Sequence, residues 1–187
     1  HHNLLSESRL YTIQCTMENH QDIIRLFEEY ELPLYISGHL HAQRIKKHKW
    51  EPGAAEDAYG ISEIVLPPYS IPPCQYGRIK WEEDGGMAFE TSRADLESCA
   101  AAWGCEDENL LQFGRYGPEF MKNVIKEQVK KSFGTIPDYL KDEMADLYSG
   151  LDYDYCAGNR MEWDDVRFTR AFRLWERFES DSRYKKN

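Results

Sequence analysis

The chain has 187 residues, of which 41% are hydrophobic and 13% aromatic, as is typical of a globular protein rather than a disordered one. Its formal net charge is −10, and no basic stripe interrupts the acidic excess, which argues against a nucleic acid or an anionic membrane surface as partner. No apolar run approaches the roughly 20 residues of a membrane span.

The first half of the chain begins with a predicted helix and a predicted strand. Asn19 is a suitable helix N-cap, and apolar residues recur after it at helical spacing, at Ile23, Ile24, Phe27 and Tyr30. The short apolar run over 32–37 predicts a buried strand that ends at Gly38. This order of elements indicates an α/β unit.

Three more strands are predicted before residue 92. Residues 61–66 are β-branched and apolar, and two prolines follow them directly. Residues 76–81 and 87–91 alternate apolar and polar side chains around Asp84-Gly85-Gly86, which predicts a hairpin. The segment 44–50, rich in Lys and His, is interpreted only as polar.

From residue 94 onward the apolar residues recur at helical spacing, over 94–103, 118–133, 137–148 and 164–178. Pro118 and Pro137 lie where the first turns of two of these helices are expected, a position that tolerates proline. The predicted organisation is therefore an α/β unit over residues 1–92 followed by a helical extension over 93–187.

The cysteines and the first residues bear on the cellular context. The five cysteines are widely spaced and form no Cys-x-x-Cys pair, which predicts reduced thiols rather than a disulfide framework or a thiolate zinc site. The chain starts without Met and without a signal-peptide pattern, so we expect it to begin within a longer protein or after an expression tag. The compartment is left open, with the cytoplasm favoured.

The segment Ile36-Ser37-Gly38-His39-Leu40-His41 is the strongest candidate for chemistry. In extended backbone, residues two apart point to the same face, so His39 and His41 would project together from the strand end. Two neutral imidazoles there are a start on a metal site, and Gly38 would let a ligand approach the backbone closely. From the residues alone, two loop histidines that bind nothing remain an equal alternative.

A helix, a buried strand, Gly-His-x-His and later strands that end in a hairpin together resemble the second half of the calcineurin-like metallophosphoesterase domain, over residues 1–92. The resemblance implies an α/β fold, half of a β-sandwich flanked by helices, with a helical C-terminal extension. It implies that His1 and His39 bind one metal ion and His41 another, with His2, Asn3 and Gly38 near the site. The reading of His1 and His2 as the remnant of a tag also stays open.

The same resemblance implies hydrolysis of phosphate esters by a hydroxide activated by two divalent transition-metal ions, Mn, Fe or Zn. The family's Asp-x-His, Gly-Asp and Gly-Asn-His-Asp/Glu motifs do not occur in the chain. We therefore expect no catalytic residue in this chain, partial or no metal occupancy, and no activity in isolation. The expected partners are a phosphate-ester substrate and either a missing N-terminal half of the domain or a second copy of the chain. The alternative is a non-catalytic helical interaction or assembly module attached to an α/β stub.

Overall fold

The fold is mixed α/β, with two small sheets and a helical C-terminal region, which confirms the predicted class. The computed structural model describes residues 1–6, 15–50, 53, 60–134 and 136–180. The chain divides into two units, His1–Arg93 and Ala94–Asn187. They are called the N-terminal unit and the helical unit, and each is described by itself.

Within its described residues, the N-terminal unit has one helix and five strands, α1 (His20–Glu29), β1 (Leu34–Ser37), β2 (Arg44–Lys49), β3 (Gly60–Val65), β4 (Gln75–Trp81) and β5 (Met87–Arg93). The first three strands form a sheet in the order β1-β3-β2, in which the central β3 is parallel to β1 and antiparallel to β2. The last two strands pair as the predicted hairpin. The helix, the strand before Gly38 and the strand before Leu66 are likewise confirmed.

Strand β2 was not predicted. Its sequence, Arg-Ile-Lys-Lys-His-Lys, contains a single apolar residue, so it shows no hydrophobic alternation. The strand forms because its backbone pairs with β3 along its whole length, for example Lys46 with Glu63. It lies at one edge of the three-stranded sheet, where lysine is common because it discourages pairing with other chains.

The core of the N-terminal unit forms between α1, the sheet and the first residues of the chain. Its fully packed members are Leu4, Leu5, Ile24 and Ile61, with partly buried apolar residues around them, Met17, Ile23, Phe27, Tyr35 and Trp50. Burial of one such Leu or Ile side chain contributes about 1.5–3 kcal/mol. The segment that follows His1 and His2 is therefore anchored in the core.

The part of the helical unit that the structure describes contains six helices, α2 (Leu96–Ala102), α3 (Glu108–Leu111), α4 (Phe113–Ser132), α5 (Asp138–Ala157), α6 (Trp163–Arg167) and α7 (Arg170–Ser180). The ion pairs Lys126–Asp146 and Lys130–Asp142 show that α4 and α5 run antiparallel. Trp175 of α7 donates its indole N–H to the carbonyl oxygen of Met144 across 3.1 Å. Among the helices that the structure describes, none is long and apolar enough to cross a membrane.

Three of the predicted helices differ from the observed ones. The helix predicted over 137–148 continues, as α5, to Ala157. Pro118 does not open a helix, because α4 already begins at Phe113. The long contact between α4 and α5 stabilises α4 despite the hydrogen bond that proline cannot donate. The helix predicted over 164–178 is split into α6 and α7, and Thr169 Oγ1 accepts a hydrogen bond from the N–H of Phe172 at the start of α7.

Candidate metal centre

Three of the four histidines predicted to be in or near the site lie together. The ring centroids of His1 and His39 are 5.3 Å apart and those of His1 and His2 are 5.8 Å apart, both edge to face. The rings of His2 and His39 are stacked, with centroids 4.3 Å apart. His2, expected only near the site, therefore makes the closest ring contact with His39. The three residues are called the histidine cluster.

The Gly-His-x-His segment forms a turn and not the tip of a strand. Strand β1 ends at Ser37, and the N–H of His41 donates to the carbonyl oxygen of Gly38 across 3.2 Å. His41 has a positive φ of 53°, so the backbone is not extended there. Alternation of side chains requires extended backbone, and the expected common face of His39 and His41 therefore does not follow. His39 is half-buried and His41 is exposed.

Backbone hydrogen bonds hold the first two residues beside this turn. The carbonyl oxygen of His1 accepts from the N–H groups of Gly38 and His39, each across 3.1 Å. The carbonyl oxygen of His2 accepts from the hydroxyl of Tyr35 across 3.0 Å. These contacts explain why the rings of His1 and His2 lie against His39.

Gly38 has room for a Cβ atom. A Cβ atom at this position would lie 3.8 Å from Nδ1 of His1 and 3.5 Å from the carbonyl oxygen of Leu66, which are ordinary van der Waals distances.

Glu63 is the residue that sequence reasoning missed. It is fully buried in the central strand β3. Its carboxylate accepts hydrogen bonds from side chains and from backbone N–H groups, namely Asn3 Nδ2 at 3.0 Å, Ser37 Oγ at 2.7 Å, Leu4 N at 3.0 Å and Leu5 N at 2.7 Å, and it pairs with Lys46 Nζ at 3.1 Å. The available signal was one acidic residue inside an otherwise apolar, β-branched strand, where charge is costly unless paired.

Asn3, expected near the site, is also fully buried. Its side-chain amide donates to Ser37 and Glu63, each across 3.0 Å, while its Oδ1 has no hydrogen-bond partner among the residues that the structure describes. A buried acceptor without a donor costs free energy, so a bound water or ligand N–H at this atom would be stabilising.

Imidazole nitrogens are suitable ligands for a transition-metal ion, but the rings of the cluster are not arranged to bind one. Metal–nitrogen bonds of about 2.0–2.1 Å place the rings of two imidazoles on one ion on the order of 5 Å apart, a spacing that His1 meets with both neighbours. The stacked pair of His2 and His39 does not aim two nitrogens at a common point. Accordingly, no group of three or more His, Cys, Asp or Glu side chains within the described ranges is arranged to hold a metal ion.

The second half of the chain matches a known protein family. Residues 95–186 match the family model described as the C-terminal domain of cyclic nucleotide phosphodiesterase. The matched range coincides with nearly all of the helical unit. No curated protein matches the chain. The chain thus contains a module related to a phosphodiesterase, an enzyme class that acts on phosphate esters.

This match corrects the family suggested by the Gly-His-x-His segment. The family found is that of the cyclic nucleotide phosphodiesterase C-terminal domain, and not that of the calcineurin-like metallophosphoesterases. The match lies over 95–186, whereas the resemblance rested on residues 1–92. A glycine and two histidines are too short a pattern to define a family, particularly since the segment here forms a turn.

Proposed function

We propose that this chain is part of a cyclic nucleotide phosphodiesterase, in which the helical unit is the C-terminal domain and the histidine cluster binds a metal ion. The observation that carries the proposal is the family match over 95–186. The packing of the His1, His2 and His39 rings within 6 Å of one another supports the metal-binding part.

The proposed roles follow from where each side chain lies. His1 and His39 have the ring spacing that one ion requires, and a rotation of the exposed His2 ring would add a third nitrogen. His41, exposed on the same turn, is proposed as the ligand of a second ion, with the remaining ligands supplied by another polypeptide or a second copy of this chain.

Metal-dependent binding of a cyclic nucleotide tests this function. The chain is titrated with 3′,5′-cyclic AMP and, separately, with 2′,3′-cyclic AMP, in the presence of Mn²⁺ and after its removal by a chelator. We expect binding only with Mn²⁺, at least tenfold weaker binding in His39→Ala, and no turnover by the chain alone. His20→Ala, at the start of α1, is the matched control and should bind as the unmodified chain does.

Binding that persists without metal, or that is equal in His39→Ala, would contradict the proposed role of the cluster. Failure of both nucleotides to bind under all conditions would contradict the proposed substrate class.

The second candidate function is that of an assembly module, and it is favoured by the apolar surface of the helical unit. The side chains of Phe120 and Val124, one turn apart on α4, are 52% and 40% exposed, and neighbouring exposed apolar side chains are typical of interaction sites. Light scattering tests it: Phe120→Ala should reduce the mass of any assembly. Tyr30→Ala, which removes a side chain 65% exposed on α1, should not.

A further inference from the structure

Helix α4 presents one face to α5 and an apolar stripe on the opposite face. Lys126 Nζ lies 2.7 Å from the carboxylate of Asp146, so this lysine marks the face toward α5. Because residues two apart on a helix lie about 200° apart around its axis, Val124 points away from α5. Phe120 is one turn before Val124, and its ring stacks on that of Tyr116 with centroids 5.7 Å apart. Tyr116, Phe120 and Val124 are called the α4 stripe.

A cavity of about 240 Å³ adjoins the first residue of the α4 stripe. Its lining includes Tyr116 and two acidic residues, Glu108 and Glu119. Glu119 pairs with Arg115, which also lines the cavity, across 3.6 Å in an exposed contact that contributes little stability. Glu108 has no ion-pair partner among the described residues. The charged residues of the lining therefore leave an acidic excess, and the cavity has room for a cationic side chain.

A lysine lies at the other end of the same face of α4. Lys131 follows Val124 by seven residues, which is close to two helical turns, so it lies on the same side of the helix as the α4 stripe. It is exposed, and it forms no ion pair within the part of the chain that the structure describes. Its neighbour Lys130 instead pairs with Asp142 of α5 across 2.8 Å. The outward face of α4 thus begins beside an acidic cavity and ends in a cation.

From these three features we propose that α4 pairs antiparallel with α4 of a second copy of this chain, and that each Lys131 enters the cavity of the other copy. A two-fold axis between Phe120 and Val124 sets Phe120 of one copy against Val124 of the other, which removes both side chains from water. The same axis sets Lys131 opposite Phe113, about one turn before Tyr116 at the cavity of the other copy. The inference rests on the second candidate function, assembly, and names the partner as the chain itself.

Charge favours this occupant and this orientation. In a parallel pair, Lys131 would lie beside Lys131 and Glu108 beside Glu108, and these like charges repel one another. In the antiparallel pair each Lys131 meets the acidic lining of the other copy, and the two-fold axis repeats that attraction. The α4 stripe is short, so we expect a dimer that dissociates on dilution.

Charge reversal followed by light scattering over a dilution series tests the pairing. Lys131→Glu brings two carboxylates together at each contact, and Glu108→Lys brings two ammonium groups together, so each variant alone should dimerise about tenfold more weakly. An equimolar mixture of the two variants should recover the dimer, because every contact of the mixed pair again joins opposite charges. Lys47→Glu, the same change at an exposed lysine of β2, is the matched control and should dimerise as the unmodified chain does.

Phe120→Ala separates this pairing from the function on which it rests, and it should weaken the dimer at least tenfold. An unmodified chain that stays monomeric at every concentration, or a dimer unchanged in Phe120→Ala, would contradict the assembly function and the pairing with it. A dimer weakened in Phe120→Ala but unchanged in both charge variants would overturn the antiparallel pairing and leave assembly standing. Failure of the mixture to recover the dimer would overturn the pairing in the same way.

Discussion

The hydroxyl of Tyr35 donates a hydrogen bond to the backbone carbonyl of His2 across 3.0 Å, although the two residues are 33 positions apart in sequence. Burial, and then the negative charge of Glu63, raise the pKa of Tyr35 above its ordinary value of 10.0. The hydroxyl consequently keeps its proton, and remains a donor to His2, at any pH near neutrality.

The change Tyr35→Phe should lower the free energy of unfolding by about 1 kcal/mol at pH 7, the usual net contribution of one hydrogen bond. The folded state holds the Tyr35 proton more tightly than the unfolded state, so this contribution is complete below pH 10 and is lost as the pH rises through the raised pKa. Urea unfolding between pH 7 and pH 11 checks both points. Above pH 10, stability should fall less steeply in Tyr35→Phe, and parallel curves would contradict the assignment.

Two glycines of the N-terminal unit should respond differently to alanine. A Cβ atom at Gly60, the first residue of β3, would overlap the backbone carbonyl of His48 on β2, and neither backbone can yield without breaking the pairing. We expect Gly60→Ala to destabilise the chain by about 1–3 kcal/mol. Gly38→Ala meets only ordinary contacts and should change the unfolding midpoint little. Equal losses in the two variants would show that β2 does not pair with β3 as described.

The cysteines should differ in reactivity. Burial, with a smaller contribution from the charge of Asp152, raises the pKa of the Cys156 thiol to about 11, whereas Cys99 is exposed. At pH 8 only about one Cys156 thiol in a thousand is then ionised, and the thiolate is the reactive form. Iodoacetamide followed by peptide mass analysis should show Cys99 modified well before Cys156. Reaction of Cys156 at the rate of Cys99 in the folded chain would contradict its burial in α5.

Acid should weaken the contact between α4 and α5. The hydrogen bond from Lys130, 2.8 Å from the carboxylate, lowers the pKa of Asp142 below its ordinary value of 3.8. The stabilisation is therefore present above pH 3.8 and is lost as the pH falls through the lowered pKa. Asp142→Asn should remove part of the acid sensitivity seen in thermal unfolding between pH 2 and pH 7. Asp138→Asn, whose partner Lys141 is on its own helix, is the control and should retain that sensitivity.

Elements with strong hydrophobic periodicity could be predicted from the sequence, and the others could not. The apolar periodicity of α1 and the turn residues Asp84-Gly85-Gly86 are local signals, and both elements form where these signals predict them. Strand β2 carries no such signal, because only its pairing with β3 defines it. The start of α4 was predicted wrongly at Pro118, because packing against α5 outweighs the local preference of proline for a first turn.

The sequence predicts that His1 and His39 lie close together, and their ring centroids are 5.3 Å apart. The geometry of the candidate site could not be predicted in the same way. The turn at His41 and the role of Glu63 depend on contacts between residues far apart in sequence, such as Asn3 with Glu63, 60 positions away. Glu63 interrupts the apolar pattern of β3, and its role can be recognised only from these distant partners.

The long separation between Asn3 and Glu63 leads us to expect that this contact forms late in folding. Closing a loop of 60 residues lowers the conformational entropy of the chain before the contact can stabilise it. Contacts between such distant residues are therefore expected to form late in folding. Before this contact forms, we expect the rings of His1, His2 and His39 to be apart, even where α1 and the β4–β5 hairpin have formed. The packing of the three histidine rings therefore reports completion of the native topology, and heating that frees β3 should separate all three rings in one step.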